Sequence, residues 1–346
     1  MNSFSAEILR WFRENGRDLP WRETKDSYAI WLSEIILQQT RIVQGWEYWE
    51  RFMQTYPKVE DLAAASEDDV LKLWQGLGYY SRARNLHAAA KQIVALGSFP
   101  NTLDGIKSLK GVGDYTAAAI GSFAFDIPAA VVDGNVYRVL SRYFGIDTPI
   151  NSTQGKKEFA ALAQSLLPAS DAASYNQGMM DFGAIQCTPQ SPKCLLCPLA
   201  ETCEALRSGR VEELPVKNKT VKVKTRHLSY IYIRCKSSVA DGSGIPEPMV
   251  AIHRRGEGDI WQGLWEPYNV SDVKELPSFV KNPILLAKDV KHVLTHRILL
   301  ADFYLLETET CPQLPDDYIW IKESEIEDYG VPRLIEIMLE KINPAE

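Results

Sequence analysis

Hydrophobic residues in the first part of the chain recur every three or four positions, which is the spacing of one face of an α-helix. Phe4, Ile8 and Trp11 form one such stripe, and Leu86 and Ile93 belong to another. The same spacing predicts helices over four later stretches, residues 116–125, 135–144, 155–167 and 172–185. The pattern therefore predicts an all-helical domain, which we place at residues 1–213.

The pattern changes from residue 214 onward. Residues 214–227 carry five basic side chains and no acidic one, which favours a solvated linker, with a strap that contacts phosphates as the alternative. Beyond them the hydrophobic period drops to two, which is typical of strands. Strands are predicted over residues 228–233, 249–255, 290–294, 299–306 and 318–321, and a short helix over residues 332–339. We therefore expect a smaller α+β domain at residues 228–346.

Length and composition are those of an ordinary folded protein. At about 100–200 residues per domain, 346 residues suggest two or three domains. Hydrophobic residues make up 45% and charged residues 24%, which excludes a disordered or collagen-like chain. No apolar run approaches the roughly 18 residues of a membrane span, and no secretory signal is visible at the N-terminus. We therefore expect a cytoplasmic protein with no membrane association. We also expect a monomer.

Four of the six cysteines lie close together, at Cys187, Cys194, Cys197 and Cys203. Four thiolates can hold a zinc ion or a [4Fe–4S] cluster, and ligand number alone leaves both open. Cys235 and Cys311 stand apart from this group. Disulfides rarely persist in the cytosol, so the close group is interpreted as a metal site.

A Gly-x-Gly sequence at Gly111 and Gly113 lies between a short predicted helix and a longer one, over about residues 106–125. Glycines let backbone N–H groups approach a phosphate closely, and the second helix presents its positive N-terminal end. Such contacts fix a protein on a duplex without recognising its sequence. An ordinary glycine turn explains the motif equally well when it is taken alone. Further on, Asp133 stands out in a loop before the next predicted helix.

Together these features resemble the helix-hairpin-helix, or endonuclease III, superfamily of DNA glycosylases, in which the same cysteine spacing holds a [4Fe–4S] cluster. Within it, three segments resemble the MutY family of adenine-specific mismatch glycosylases: Asp18-Leu19-Pro20-Trp21-Arg22, Leu32-Ser33-Glu34-Ile35-Ile36-Leu37-Gln38-Gln39-Thr40 and Gly76-Leu77-Gly78-Tyr79-Tyr80-Ser81-Arg82-Ala83-Arg84. The resemblance runs from about Ile8 to Cys203. It implies base-excision repair of double-stranded DNA in which adenine is paired with 8-oxoguanine or with guanine.

Two carboxylates suit this chemistry, because one must protonate the departing base and one must stabilise a positively charged sugar. Glu34 has apolar neighbours on both sides, which predicts burial, a raised pKa and a proton held near neutrality. The resemblance implies that Glu34 is the general acid, that Asp133 stabilises the sugar and that Asn135 positions the sugar or a water molecule. Without the motif, Glu34 could equally be an exposed acid on a helix.

Tyr115 occupies the hairpin position at which bifunctional relatives carry a lysine. That lysine forms a Schiff base and permits strand cleavage, which a phenol cannot do. The resemblance therefore implies a monofunctional glycosylase that uses water as its nucleophile.

The adenine must leave the base stack before it can be cut, so other side chains must hold the duplex open. The resemblance assigns this wedging role to Gln39, Leu77 and Tyr79, and the adenine pocket to Arg17, Trp21 and Gln177. It assigns phosphate contacts to Gly111, Gly113 and Lys193. For Leu77 and Trp21, ordinary core packing is the alternative.

The second domain resembles the Nudix-like C-terminal module of the same family, which recognises 8-oxoguanine. Gly263-Leu264-Trp265-Glu266 is similar to a segment of that fold, but Pro267 and Tyr268 depart from it. There is no Arg-Glu-x-x-Glu-Glu array to bind magnesium, so we expect no nucleotide hydrolysis. By this resemblance, Thr295 stands where the family's lesion-recognition loop carries a serine, and His296 matches the histidine of that loop. A plain strand turn is the alternative.

Two other functions remain open at this stage. One is an endonuclease III-like glycosylase for oxidised pyrimidines, against which Tyr115 and the second domain argue. The other is a non-enzymatic iron–sulfur protein that binds DNA or transfers electrons. Glu34 and Asp133, each in its motif, argue against it.

Overall fold

The chain forms two compact units in the computed structural model, which describes residues 3–218, 223–240, 246–270 and 279–342. The first unit comprises Met1–Ala64 and Ala88–Lys219, and the second comprises Ala65–His87 and Thr220–Glu346. No helix in the described part of the chain has both the length and the apolar character needed to cross a membrane.

Helices account for most of the structure before residue 208. They are α1 (Ser3–Asn15), α2 (Ser27–Ile36), α3 (Ile42–Thr55), α4 (Val59–Ala64), α5 (Glu67–Trp74), α6 (Ser81–Leu96), α7 (Leu103–Lys107), α8 (Asp114–Phe125), α9 (Gly134–Phe144), α10 (Thr153–Leu166), α11 (Ala172–Asp181) and α12 (Glu204–Arg207). A π-helical turn, Phe182–Gln186, continues α11 towards the cysteine group. Ile8, Phe159 and Phe182 are fully or almost fully buried members of one hydrophobic core of the helices.

Helix α2 determines where Glu34 lies. Nine of its ten residues are buried, as expected for a helix that is apolar on nearly every side. The helix begins at Asp26, whose side chain accepts the N–H of Tyr28 at 3.0 Å. Glu34 lies in the last turn of this helix, so the packing of its apolar neighbours places the carboxyl group inside the protein.

A mixed sheet forms the core of the second unit. Its strands are β1 (Lys224–Ala240), β2 (Pro246–Arg254), β3 (Trp265–Glu266), β4 (Tyr268–Val270), β5 (Ile284–Val293), β6 (Arg297–Thr308) and β7 (Tyr318–Lys322). Their order is β3-β2-β1-β6-β5, with β4 also on β1 and β7 also on β2. Strands β1 and β6 are parallel, and the other pairs are antiparallel. Helix α13 (Arg333–Ile342) packs its Leu334 and Met338 into this core.

The predicted linker over residues 214–227 needs correction at both ends. Leu214 is buried, and its carbonyl accepts a hydrogen bond from Arg142 at 3.1 Å. The Ile150 N–H donates to the carbonyl of Val216 at 3.0 Å, so this end of the segment belongs to the helical unit. At the other end, β1 begins at Lys224 because residues 224–227 pair with β6. Residues 219–222 lie outside the described residues.

The segment Ala65–His87 was predicted to belong to the helical domain, residues 1–213. In the structure it packs with the second unit. Arg84 donates to the carbonyl of Gln262 at 2.6 Å, and Arg254 pairs with Glu67 at 2.8 Å. Gln75 bonds to Glu336 and accepts the Val331 N–H at 3.3 Å. Sequence continuity alone placed this segment in the helical domain, whereas its contacts place it elsewhere.

Cys235 and Cys311 form a disulfide, contrary to the expectation from a reducing compartment. Their Cα atoms are 5.2 Å apart although 76 positions separate them in the sequence. The parallel pairing of β1 with β6 explains this proximity, because Cys235 lies opposite Thr308 and Cys311 follows shortly after it. Cys235 is completely buried, and Cys311 is exposed.

We predict that Cys311→Ser will lower the free energy of unfolding by roughly 2–4 kcal/mol, because the disulfide restricts a long loop in the unfolded chain. Hydrogen exchange of peptides from β1 and β6, measured without reductant, should show faster opening. Wild-type protein treated with a thiol reductant is the control and should exchange like the variant. Two titratable thiols at these positions in untreated protein would contradict the prediction.

Candidate active site and cluster-binding loop

Glu34 lines a cavity in the helical unit that also contains three of the predicted pocket residues, Arg17, Trp21 and Gln177. Glu34 is 7% exposed. Burial raises the pKa of Glu34 from 4.5 to about 7. The sequence-based expectation of a buried acid that holds its proton near neutrality therefore agrees with this geometry, and the alternative of an exposed helix acid does not.

Tyr115, from α8, lies against Glu34. Its hydroxyl group donates to Oε2 of Glu34 at 3.1 Å. Burial, followed by the charges of Glu34 and Asp133, holds the pKa of Tyr115 well above its ordinary value. The phenol therefore remains a neutral hydrogen-bond donor to the Glu34 carboxyl group.

Asp133 caps the N-terminus of α9. Its Oδ1 accepts the backbone N–H groups of Asn135 at 2.9 Å and Val136 at 2.8 Å. The Asn135 side chain donates to Oδ2 at 2.8 Å. Burial raises the pKa of Asp133 and outweighs these hydrogen bonds, which favour the anion. Asp133 does not line the Glu34 cavity, but its charge raises the pKa of Glu34, so the two groups are electrostatic neighbours.

The Arg138 side chain connects this cap to the cysteine group. Its guanidinium donates to Oδ1 of Asn135 at 2.8 Å, and its Nε donates to the carbonyl of Cys187 at 2.7 Å. It also donates to the carbonyl of Gly183 at 2.5 Å. Gly183 approaches Asn135 so closely that a Cβ atom there would lie 2.6 Å from the Cβ of Asn135. Only glycine fits at this contact without displacing Asn135.

Cys187, Cys194, Cys197 and Cys203 line one cavity, together with Lys193 and Arg142. Among the described residues no three His, Cys, Asp or Glu side chains are grouped to hold a single metal ion. Burial raises the pKa of the Cys197 thiol to about 11, an effect opposed by a hydrogen bond from the Leu199 N–H. Arg142 donates to the Cys187 sulfur at 3.4 Å. Cationic and N–H donors directed at sulfur suit thiolates bound to iron, so this donor set fits an iron–sulfur cluster.

The glycine hairpin is open at the surface. Gly111 adopts a positive φ of 77°, and Gly113 is the N-cap residue of α8. Both glycines are exposed, and a Cβ atom on Gly113 would meet open space. Lys193, in the cysteine loop, is also exposed. All three positions are therefore accessible to solvent, and their contact with phosphates stays a prediction.

Gln39, Leu77 and Tyr79 differ in exposure. Gln39 is exposed and has a positive φ of 56°, an uncommon conformation for a residue other than glycine. Tyr79 has a φ of 48° and is 48% exposed. Leu77 is only 8% exposed, so the expectation that it projects as a wedge is wrong for this conformation, and the alternative of packing holds. Gly76 and Gly78, on either side of Leu77, both have positive φ, at 98° and 70°.

Thr295 and His296 are exposed at the turn between β5 and β6. The turn is closed by a hydrogen bond from the Leu294 N–H to the carbonyl of Arg297 at 2.8 Å. The Thr295 hydroxyl lies 2.6 Å from the Tyr79 hydroxyl, within the second unit. One cleft of this unit is lined by residues 76–81 and 292–296. Two predicted recognition segments, distant in sequence, therefore meet here.

Three site residues were not identified from the sequence. Arg22 lines the Glu34 cavity, Asp181 binds Arg17 and Arg22, and Arg138 connects Asn135 to Cys187. Only Arg22 had a sequence signal, because it ends a quoted motif. The other two form contacts between helices that are far apart in the sequence.

The fold and these sites define a class of base-excision DNA repair proteins. Residues 32–168 match the family described as "HhH-GPD superfamily base excision DNA repair protein". Residues 187–203 match the "Iron-sulfur binding domain of endonuclease III", and residues 246–341 match the "NUDIX domain". The predicted fold class and the predicted iron–sulfur cluster are thereby confirmed.

Comparison with whole proteins shows which family of DNA glycosylases the chain belongs to. The chain is 31% identical to an adenine DNA glycosylase of Buchnera aphidicola subsp. Schizaphis graminum (strain Sg), over 97% of this chain and 98% of that protein. It is 41% identical to the adenine DNA glycosylase of Mus musculus, over 62% of this chain and 44% of that protein. The chain belongs to the adenine DNA glycosylase family. The predicted membership of the MutY family is therefore confirmed.

Among solved structures, a thermostable thymine-DNA glycosylase matches 59% of this chain and 95% of its own, with a TM-score of 0.56 and 34% identity. The match supports the glycosylase fold for about the length of the helical unit.

We predict that Glu34→Gln will stabilise the protein at pH 8. A carboxyl group whose pKa rises from 4.5 to about 7 on folding binds a proton in the folded state that the unfolded chain releases. The free energy of unfolding therefore decreases as the pH rises from about 4.5 to about 7, by about 3 kcal/mol in total. Glutamine is uncharged and avoids this loss.

Urea denaturation at pH 5 and at pH 8 measures the effect. The gain in free energy of unfolding of Glu34→Gln over the wild type should be larger at pH 8 than at pH 5. Glu47→Gln on exposed α3 is the matched control and should show no such trend. An advantage of equal size at both pH values would contradict the raised pKa.

Proposed function

We propose that this protein hydrolyses the N-glycosidic bond of adenine paired with 8-oxoguanine, or with guanine, in double-stranded DNA. The proposal rests above all on Glu34, a buried acid with a pKa of about 7 in a cavity lined by Arg17, Trp21 and Gln177. A carboxyl group with this pKa holds its proton at neutral pH and can still release it.

In the first step, Glu34 donates its proton to a ring nitrogen of the extruded adenine. The base then departs with the electron pair of the broken carbon–nitrogen bond and leaves a positively charged sugar. Tyr115 holds the Glu34 carboxyl group through its 3.1 Å hydrogen bond and so directs its free oxygen.

In the second step, Asp133 stabilises the positive sugar. Its negative charge is fixed by the Asn135 side chain and by two backbone N–H groups, so it needs no rearrangement when the positive charge develops. Water adds to the sugar carbon and passes a proton to a carboxylate. We assign the positioning of the sugar or the water to Asn135.

We infer a monofunctional enzyme, because the residue beside Glu34 is Tyr115, which has no amine to form a Schiff base. The cysteine loop would hold an iron–sulfur cluster that keeps Lys193 and its neighbours folded for contact with phosphates. Gly111 and Gly113 would contact phosphates through their backbone N–H groups.

We assign recognition of 8-oxoguanine to the second unit, with Thr295 and His296 as contacts. Their exposure and the hydrogen bond between Thr295 and Tyr79 support this assignment. In this scheme Gln39 and Tyr79 hold the duplex open beside the extruded base. We further propose that the enzyme acts as a monomer in the cytoplasm, on the DNA of the nucleoid.

Single-turnover base release tests the function. The protein should release adenine from duplexes with A opposite 8-oxoguanine and A opposite guanine, but should release nothing from a duplex with thymine glycol. The rate should fall about tenfold per pH unit above about pH 7, because the protonated fraction of Glu34 decreases. Release of thymine glycol alone would favour the endonuclease III-like alternative.

Two variants test the assigned roles. Glu34→Gln should bind the A opposite 8-oxoguanine duplex and release adenine at least 100-fold more slowly, since general acid catalysis contributes roughly 100-fold to 10,000-fold. Glu47→Gln is the control and should match the wild type. Efficient borohydride trapping of wild-type protein on DNA would contradict the monofunctional mechanism.

A further inference from the structure

Asp181 is a completely buried carboxylate at the end of α11, and it binds two arginines that line the Glu34 cavity. Arg22 donates to both of its oxygens, at 2.8 Å each. Arg17 donates through its backbone N–H at 2.9 Å, through Nε at 2.9 Å and through a terminal nitrogen. One carboxylate therefore accepts five hydrogen bonds from two residues that are more than 150 positions away in sequence.

The two arginines are also bound to each other. The guanidinium of Arg22 donates to the backbone carbonyl of Arg17 at 2.9 Å, and it lies 5.6 Å from the ring centre of Phe12. Burial opposes ionisation of Asp181, but the hydrogen bonds from Arg22 and Arg17 prevail and hold its pKa below the ordinary value. Asp181 is thus a permanent negative charge between two fixed positive charges.

We propose that Asp181 is a positioning residue for base excision, which holds Arg17 and Arg22 in place on the cavity wall and offsets their charge at Glu34. This inference rests on the proposed function, because it concerns the same acid. It adds a residue that touches neither Glu34 nor the cavity but acts on both through the two arginines.

The charges that face Glu34 give the direction of the effect. Asp133, before α9, raises the pKa of Glu34, whereas Arg22 and the hydrogen bond from Tyr115, on α8, lower it. Arg22 is therefore the opposing cation, and Asp181 is its counter-ion. If Asp181 becomes neutral, the positive charge of the arginines is no longer offset, and Glu34 should lose its proton at a lower pH.

A buried carboxylate that binds two arginines could instead serve the fold alone, since removal of one partner from a buried ion pair is strongly destabilising. The two interpretations differ in what they predict for a folded variant. A purely structural role changes the stability and leaves the titration of Glu34 where it was. A positioning role moves that titration in a direction set by the charge removed.

The experiment compares wild type, Asp181→Asn and Arg22→Gln by two readouts. The first is the pH dependence of single-turnover adenine release from the A opposite 8-oxoguanine duplex. The second is the titration of Glu34 by ¹³C NMR of labelled glutamate, assigned with Glu34→Gln. Thermal unfolding establishes the pH range in which each variant is folded.

Asp181→Asn should move the Glu34 midpoint down by about one pH unit and slow adenine release about tenfold at pH 7.5, because one pKa unit corresponds to a tenfold change. Arg22→Gln should move the midpoint up. Asp181→Glu keeps the charge and should return the midpoint towards the wild-type value. Asp126→Asn removes an exposed ion pair with Lys25 and should change neither readout.

If Asp181→Asn fails to fold, Arg22→Gln still tests the opposing cation, and the double variant Arg22→Gln/Asp181→Asn tests Asp181, because its Glu34 midpoint should lie below that of Arg22→Gln. Midpoints that coincide in wild type and in every folded variant would overturn the inference. If wild type releases no adenine, the proposed function fails, and the NMR titration still decides whether Asp181 and Arg22 control the ionisation of Glu34.

Discussion

The Arg138 guanidinium joins the start of its own helix, α9, to the segment 183–187, and folding alone brings these two parts of the chain together. It donates to the carbonyl of Cys187, to the carbonyl of Gly183 and to the side chain of Asn135. Asn135 in turn holds Asp133. The first cysteine of the cluster loop is therefore connected to the Asp133 carboxylate through two side chains, Arg138 and Asn135. The connection consists of hydrogen bonds, so the fold of the cluster loop and the position of Asp133 depend on each other.

The second requirement is an acid that remains protonated in water at neutral pH. Helix α2 provides it by being apolar on nearly every side, so that Glu34 is buried together with its neighbours. Burial of this kind opposes stability once the carboxyl group ionises. Arg22, on the cavity wall, lowers the pKa of Glu34 but does not outweigh the effect of burial. Both cavity arginines are paired with Asp181, so the helical unit places a buried acid beside cations that already have a carboxylate partner.

Local sequence predicted the residues whose environment is set by their own neighbours. The burial of Glu34, the cysteine loop and the place of Asp133 before a helix follow from residues within one or two helical turns. Asp181, Arg138 and the disulfide between Cys235 and Cys311 depend on contacts across many residues, which periodicity cannot predict. The place of Ala65–His87 was missed, and the choice between a wedge and core packing for Leu77 was left open, for the same reason: each is determined by what the segment touches and not by its own pattern.

The formal net charge of −7 is a poor guide to DNA binding, because the structure uses many cations internally. Arg138 and Arg142 bind carbonyl groups, and Arg22 binds a buried carboxylate, so these charges contribute little to the field outside. Lys193 is exposed, and the N–H groups at the start of α8 carry a partial positive charge that a count of charged residues omits. The net charge of the chain therefore does not determine the local field at either position.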